Sequence, residues 1–367
     1  MGTKNKVLKP ETWNFNKVMK IFQESASPPV FFQKKIQAGI GQTFMWVFLG
    51  ILLGACGRVC GVREEVLRIP MEIEVENLGK TLLEIEGVGS MDSFLTAQPV
   101  LRRKFFREDP YSTPGGLAEG LYKTLNNPHI DTLYQEVIQE YGEDFADLKI
   151  KWVQAFQHVK YYYPSFSAPK INLIISGLYR DVYFSENLWI MSMDYFLGEQ
   201  AKYPPIDLPL YLRRRYTPQH VIPMSLFYLS TNYTRNQPHD LTLLADMIAW
   251  GKSCFFVEHM IPCAEDSLII GYSQEELNRV REYAPFIWAN FIEKAWLYER
   301  SPKIKNKFVG ERPNVPEIGV QCPGRIGIWL GWEIVRAYFR EQGGAWQKIL
   351  KEPDAQKIFR KSRYNPS

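Results

Sequence analysis

Cysteine and histidine are scarce in this chain, at five each among 367 residues. Five cysteines do not make a disulfide scaffold, which small exported domains build at far higher density. The histidines lie at 129, 158, 220, 239 and 259. No two of them have the i, i+4 spacing that sets a pair of imidazoles on one helix face around zinc, with a Glu beside the first as base. Nor do the cysteines form the two pairs of a zinc finger. The serine-hydrolase elbow G-x-S-x-G is missing, and Gly87-Val-Gly89-Ser90 lacks both the GxGxxG spacing and the lysine of a phosphate-binding loop, so it reads as a turn. No apolar run reaches the roughly 20 residues that a membrane-spanning helix needs. A basic excess is also absent from the body of the chain. The formal charge of +4 arises because seven lysines, against two glutamates, lie in the first 55 residues. From Cys56 onward there are 37 basic and 38 acidic residues, which gives no concentrated positive face for nucleic acid. Arg213-Arg214-Arg215 reads as a solvated face.

What is present is a globular composition, 46% hydrophobic and 14% aromatic, in a chain long enough to bury a sizeable core. Near its start, Phe44 to Ala55 is a short apolar run with Lys34 and Lys35 upstream. Run and flank match the h-region and n-region of a signal peptide. Leu53-Gly54-Ala55-Cys56 then has the form of a lipobox: small residues admit the peptidase, and the Cys56 thiol accepts diacylglycerol. Two or more acyl chains hold a protein stably on a bilayer. The expected organisation is a leader over 1–55, a lipidated tether over 56–68, one globular domain over 69–345 and a C-terminal tail over 346–367. Cys60, Cys254, Cys263 and Cys322 allow three pairings, and the sequence does not choose among them.

Within the domain, alternation at Met71, Ile73 and Val75 predicts a strand. Ile130 to Tyr163 has a helical apolar face. Lys170 to Gly177 and Asn187 to Leu197 read as neighbouring strands of one sheet, separated by a turn-like segment. Asp240 is placed to cap a helix carrying Leu243, Leu244, Met247, Ile248 and Trp250. Ser273-Gln-Glu-Glu276 is a capping box opening a long helix, in which Pro285 forces a kink or a restart. Pro323-Gly324-Arg325 begins a further helix, whose Gly324, Gly327 and Gly331 would admit another helix closely. The fold class is α+β, mainly helical with a small sheet.

The residues that bear on function are few. Asp194 and Glu265-Asp266 are carboxylates beside apolar runs, where capping of a loop or strand end is the ordinary use. His259 ends an apolar segment and is expected to be satisfied by backbone. Trp288, Trp296, Trp329 and Trp332 are expected in the core. Asp194, Trp250, Arg325, Trp329 and Trp332 are the candidates for a partner or pocket surface. No catalytic residue, metal ligand or cofactor is expected. The alternative is a hydrolase with an unfamiliar site, whose members would be Asp194, Asp246, Glu265 and His259, gathered in one cleft.

Five aromatic-rich blocks, in order, carry a resemblance: ENLWIMSMDYFLG (186–198), LPLYLRRRYTPQHVIP (208–223), DLTLLADMIAWGK (240–252), DSLIIGYSQEELNRVREYAPFIWANFIEKAWLY (266–298) and CPGRIGIWLGWEIVRAYF (322–339). They resemble the gliding motility lipoprotein GldB family of Bacteroidota over roughly residues 70–340. The resemblance implies a membrane-anchored lipoprotein facing the periplasm, which works with other envelope proteins of gliding and type IX secretion. The order of elements is also similar to that of zinc peptidases of the zincin type. Those carry HExxH in one helix and a Glu-Gly pair in the next. Here Ile222 to Asn232 has neither His nor Glu, and Trp250-Gly251 stands where Glu-Gly would, so this resemblance implies a zincin-like scaffold without its chemistry.

Overall fold

The computed structural model describes residues 63–108 and 115–366. The expected leader, Cys56 and the first part of the tether lie outside these residues. The principal elements are β1 (Val75–Asn77), α1 (Pro128–Tyr141), α2 (Ala146–Tyr162), β2 (Lys170–Ile174), β3 (Val182–Phe184), β4 (Leu188–Ser192), α3 (Val221–Ser230), α4 (Leu243–Met260), α5 (Gln274–Glu282), α6 (Ala284–Glu293), β5 (Asn314–Val315), β6 (Gly319–Pro323), α7 (Ile326–Gln342) and α8 (Ala355–Ser362). Mainly helical α+β is the class observed.

The main sheet has the order β1-β2-β4-β3. β1, β2 and β4 run parallel, with Val75 opposite Ile171 and Lys170 opposite Leu188. β3 pairs antiparallel at the edge, Tyr183 opposite Ile190. In both β2 and β4 the last four residues are buried, as expected of parallel strands covered on both faces. On one face Trp189 meets Phe156 of α2 and Tyr228 of α3, edge to face. The hairpin between β3 and β4 turns on Ser185, whose hydroxyl donates to Leu188 O and accepts from Leu188 N. Here the turn-like segment of the sequence hides an extra strand.

Several expected boundaries move. The alternation from Met71 yields a strand only over Val75–Asn77, because Asn77 accepts from Gly79 N and starts a helix, Leu78–Leu83. The expected helix over 130–163 is two helices, broken where Gly142 and Phe145 take positive φ. The capping box forms, with both Ser273 and Glu276 hydrogen bonds present. Pro285 falls in the first turn of α6, so the helix restarts there. The cap of α4 is Thr242, which accepts from Ala245 N; Asp240 acts one step earlier by accepting from Thr242 N.

Both ends of the body are ordered beyond the expected domain limits. Val66, in the helix Glu64–Leu67, is buried, and Gln157 of α2 donates to Leu67 O and Ile69 O at 3.0 and 2.9 Å. In the segment expected as a tail, Trp346, Leu350 and Ile358 are buried; Trp346 stacks on His259, and α8, which carries Ile358, packs against α7 and α4.

Among the described residues, α4 and α7 form the most extensive helix contact. Gly331 makes it possible: a Cβ there would lie 1.8 Å from Met247 O, and one on Gly251 would lie 2.3 Å from Gly331 C. Trp288, Trp329 and Trp332 are buried beside this helix layer, and Trp296 is half-buried.

Candidate functional site

The expected pocket residues are dispersed. Asp194, 1% exposed, follows β4. It accepts from Leu178 N at 2.7 Å, from Ser176 N at 3.3 Å and from the Ser192 hydroxyl at 2.5 Å. Gly177 and Leu178 both have positive φ, and such successive amides make a concavity that takes an anion. The protein's own carboxylate fills it and pins the loop after β2. Burial pushes the Asp194 carboxyl above its ordinary range, against the pull of these donors.

Trp250 stands on α4 with 42% of its surface exposed. Trp332 is fully buried; its Nε1 donates to Glu258 at 2.8 Å, and the Arg336 guanidinium lies over its ring at 3.8 Å. Arg336 also pairs with Asp266 and Glu333. Trp329 lies one turn earlier on α7 and borders a polar hollow with Arg340 and Tyr364. Arg325 caps α7 at a φ of 60°, and its guanidinium donates to Ile270 O at 2.8 Å.

Arg325 sits among other cations. Arg215 pairs with Glu311, which Arg325 also approaches at 3.7 Å, and Arg214 pairs with Glu276 at 2.8 Å. All three arginines are half-buried rather than a solvated face, and Arg214 and Arg215 are ion-paired. Burial, and then the charges of Arg215, Arg214 and Arg325, push the His220 imidazole down to about 4.

The four carboxylate and imidazole candidates for acid-base chemistry are not gathered. Asp246 pairs with Lys305 at 2.7 Å near the start of α4. His259, thirteen residues further along α4, has Nδ1 2.7 Å from Phe255 O and stacks on Trp346 with ring centres 4.3 Å apart. Glu265 precedes the short helix Asp266–Ile270. None of the four shares a hydrogen bond with another. Among the described residues no group of three or more His, Cys, Asp or Glu is arranged to hold a metal ion.

Among the described residues, a groove of about 430 Å³ lies between α2, the segment 218–223 entering α3, and the chain following α4. Its buried lining includes Ala155, His158, Ile222, Pro223 and Met260; Leu67 and Leu268 stand at its sides. Lys151, Gln154 and Gln219 are exposed at the rim. This is the usual make-up of a small-molecule site, apolar walls with a few polar groups. His158 is 6% exposed and has Nδ1 2.9 Å from Gln154 O. The carbonyl only accepts, so Nδ1 carries the proton and Nε2 is left as an acceptor. Burial holds this imidazole below its ordinary pKa.

Cys263 also lines the groove and is disulfide-bonded, whereas Cys254 and Cys322 are free and buried. Each of the three pairings open to the sequence would bond both Cys254 and Cys322, so none of them is present as a whole. The sequence signals for this groove were slight: Lys151, Gln154, Ala155 and His158 recur at helical spacing, Pro218 and Pro223 mark the start of α3, and Pro262 marks the turn after α4. The buried Lys252, whose ammonium donates to Arg235 O at 2.7 Å and Glu352 O at 2.6 Å, left no pattern in the sequence at all.

No helix among the described residues is long and apolar enough to cross a membrane. No curated protein matches the chain, and no solved structure matches it. The family model of the gliding motility protein GldB matches residues 60–366, which takes in the sheet, the α4–α7 layer and the groove alike. The chain therefore belongs to the gliding motility protein GldB family.

Proposed function

We propose that this protein is a lipid-anchored, periplasm-facing part of the cell envelope that supports gliding motility and the type IX secretion tied to it, by binding or assembly rather than by catalysis. The observation that carries this reading is positional. The family region begins at residue 60, four residues after the cysteine that closes the sequence FMWVFLGILLGAC. A short apolar run, a basic flank and a lipobox cysteine immediately ahead of a folded body make the arrangement of an exported lipoprotein. The non-catalytic part is supported by the dispersal of Asp194, Asp246, Glu265 and His259; Asp194, Asp246 and His259 are each engaged in local contacts, and Glu265 is exposed.

Feeding cells an alkyne analogue of palmitate tests the anchor. The wild-type chain is expected to carry the label and to fractionate with membranes. Cys56→Ala is expected to lose both, together with gliding, while its body keeps its melting temperature. A labelled Cys56→Ala chain, or a fully motile strain expressing it, would overturn the proposal. Chemistry adds a second constraint: a lipidated Cys56 has its sulfur in a thioether and cannot join Cys263. Non-reducing peptide maps should therefore link Cys263 to Cys60, and a Cys56–Cys263 link would count against lipidation. One zinc per purified chain, with melting lowered by a chelator, would contradict the non-catalytic part.

A further inference from the structure

The groove along α2 combines a neutral apolar interior with a free cation at one end. Lys151 has no side-chain partner among the described residues, and neither do the carboxamides of Gln154 and Gln219. From Lys151 to His158 the helix rises about 10 Å. Over that length the buried lining is Ala155, Ile222, Pro223 and Met260, with Nε2 of His158 as its one side-chain hydrogen-bonding atom. An extended peptide lying there would bring an N–H and a C=O about every 3.4 Å, and each would need a partner. An acyl chain brings none. We infer that the groove is a lipid site, which takes an acyl chain along α2 between Ala155, Ile222 and Leu268 and an anionic head group against Lys151, Gln154 and Gln219. This inference does not depend on the N-terminal anchor.

The shared chemistry, an acyl chain with an anionic head, belongs both to a free fatty acid and to an anionic phospholipid. The test uses the full chain in phosphatidylcholine vesicles that contain either photoactivatable palmitic acid or photoactivatable phosphatidylglycerol. After irradiation, label is expected on peptides that contain Ala155 and His158, Ile222, or Leu268. Lys151→Glu should lower that labelling about tenfold, the loss of one charge-assisted contact. Leu268→Glu, which sets a charge in the apolar wall, should lower it at least as far. Labelling by palmitic acid alone assigns the site to the free acid, and labelling by phosphatidylglycerol assigns it to a membrane lipid. Label confined to other surfaces, or undiminished in Lys151→Glu, would overturn the inference. Lys151 is exposed, so that variant should fold and decides the matter even if Leu268→Glu does not.

Discussion

α4 behaves differently at its middle and at its end. Around Gly251 it meets α7 at Gly331 with no space left between backbones. At Met260 the helix ends, and this residue with the turn Ile261-Pro262-Cys263-Ala264 walls a groove of about 430 Å³. Apolar residues line both places, so hydrophobicity does not separate them. What differs is the size of the residue at the crossing. Glycine on each partner lets two helices close until main-chain atoms touch. Around the groove, Ile222, Met260 and Leu268 hold α2, α3 and the loop apart; Pro218 and Pro223 lie at the entry and in the first turn of α3, and Pro262 turns the chain just after α4.

The largest effect should come from closing off that distinction at the seam. In Gly331→Leu the first added carbon already meets Met247 O at 1.8 Å, and a backbone carbonyl cannot rotate out of the way as a side chain does. A loss of about 3 kcal/mol or more in urea unfolding is expected, at or beyond the top of the usual range for overpacking. Leu268→Phe, an enlargement of the groove wall, should cost less than about 1 kcal/mol because there is space beside it. Equal costs at the two positions would erase the contrast.

The seam was legible in advance and the groove was not. A run of glycines at positions 324, 327 and 331 announces a close approach; the structure supplies Met247 and Gly251 of α4 at Gly331, whereas Gly324 precedes α7 and packs on Arg312 instead. The local signals held for the same reason: the Ser273–Glu276 box and the restart at Pro285 are decided within a few residues. A groove is made by segments far apart in sequence, and nothing in a linear pattern says that Ala155, Ile222 and Leu268 will face one another. Asp194 shows the same limit. Its carboxylate beside an apolar strand was visible, but its use, as the internal anion for the amides after β2, follows only from Ser176 and Leu178 being folded back over it. The strand β3 was hidden because three residues with only partial burial carry too little pattern to stand out from a turn.

Lys252 sharpens the sealed side of the comparison. It is fully buried next to Gly251, and burial pulls its ammonium down to about 8. Between that pH and the ordinary lysine value near 10.4 the unfolded chain keeps a proton that the folded chain has shed. Stability should therefore rise as the pH is raised from about 8 toward 10. Lys252→Met should flatten this rise, by on the order of 1–2 kcal/mol across the window, when urea midpoints of the two chains are subtracted. An unchanged pH profile in the variant would mean that water reaches Lys252 and that the layer is not sealed there.

His158 probes the open side, and its effect should be the smallest. Burial holds its imidazole below the ordinary value, so the folded state prefers the neutral ring. As the pH falls through about 6.5 the unfolded chain takes up the proton first, and the stability that His158 contributes is lost progressively below that point. His259 and His220 move the same way, so the quantity to measure is the difference between wild type and His158→Gln from pH 7.5 to 5. The variant should lose part of the acid slope and keep the remainder. Because His158 borders a groove rather than a closed core, its share also depends on what fills that groove. An acyl chain laid against the ring excludes water and makes protonation harder, so the wild-type acid slope should steepen with palmitic acid present, and His158→Gln should not respond. A slope that ignores the lipid in both chains would place the acyl chain elsewhere and leave the groove filled by water.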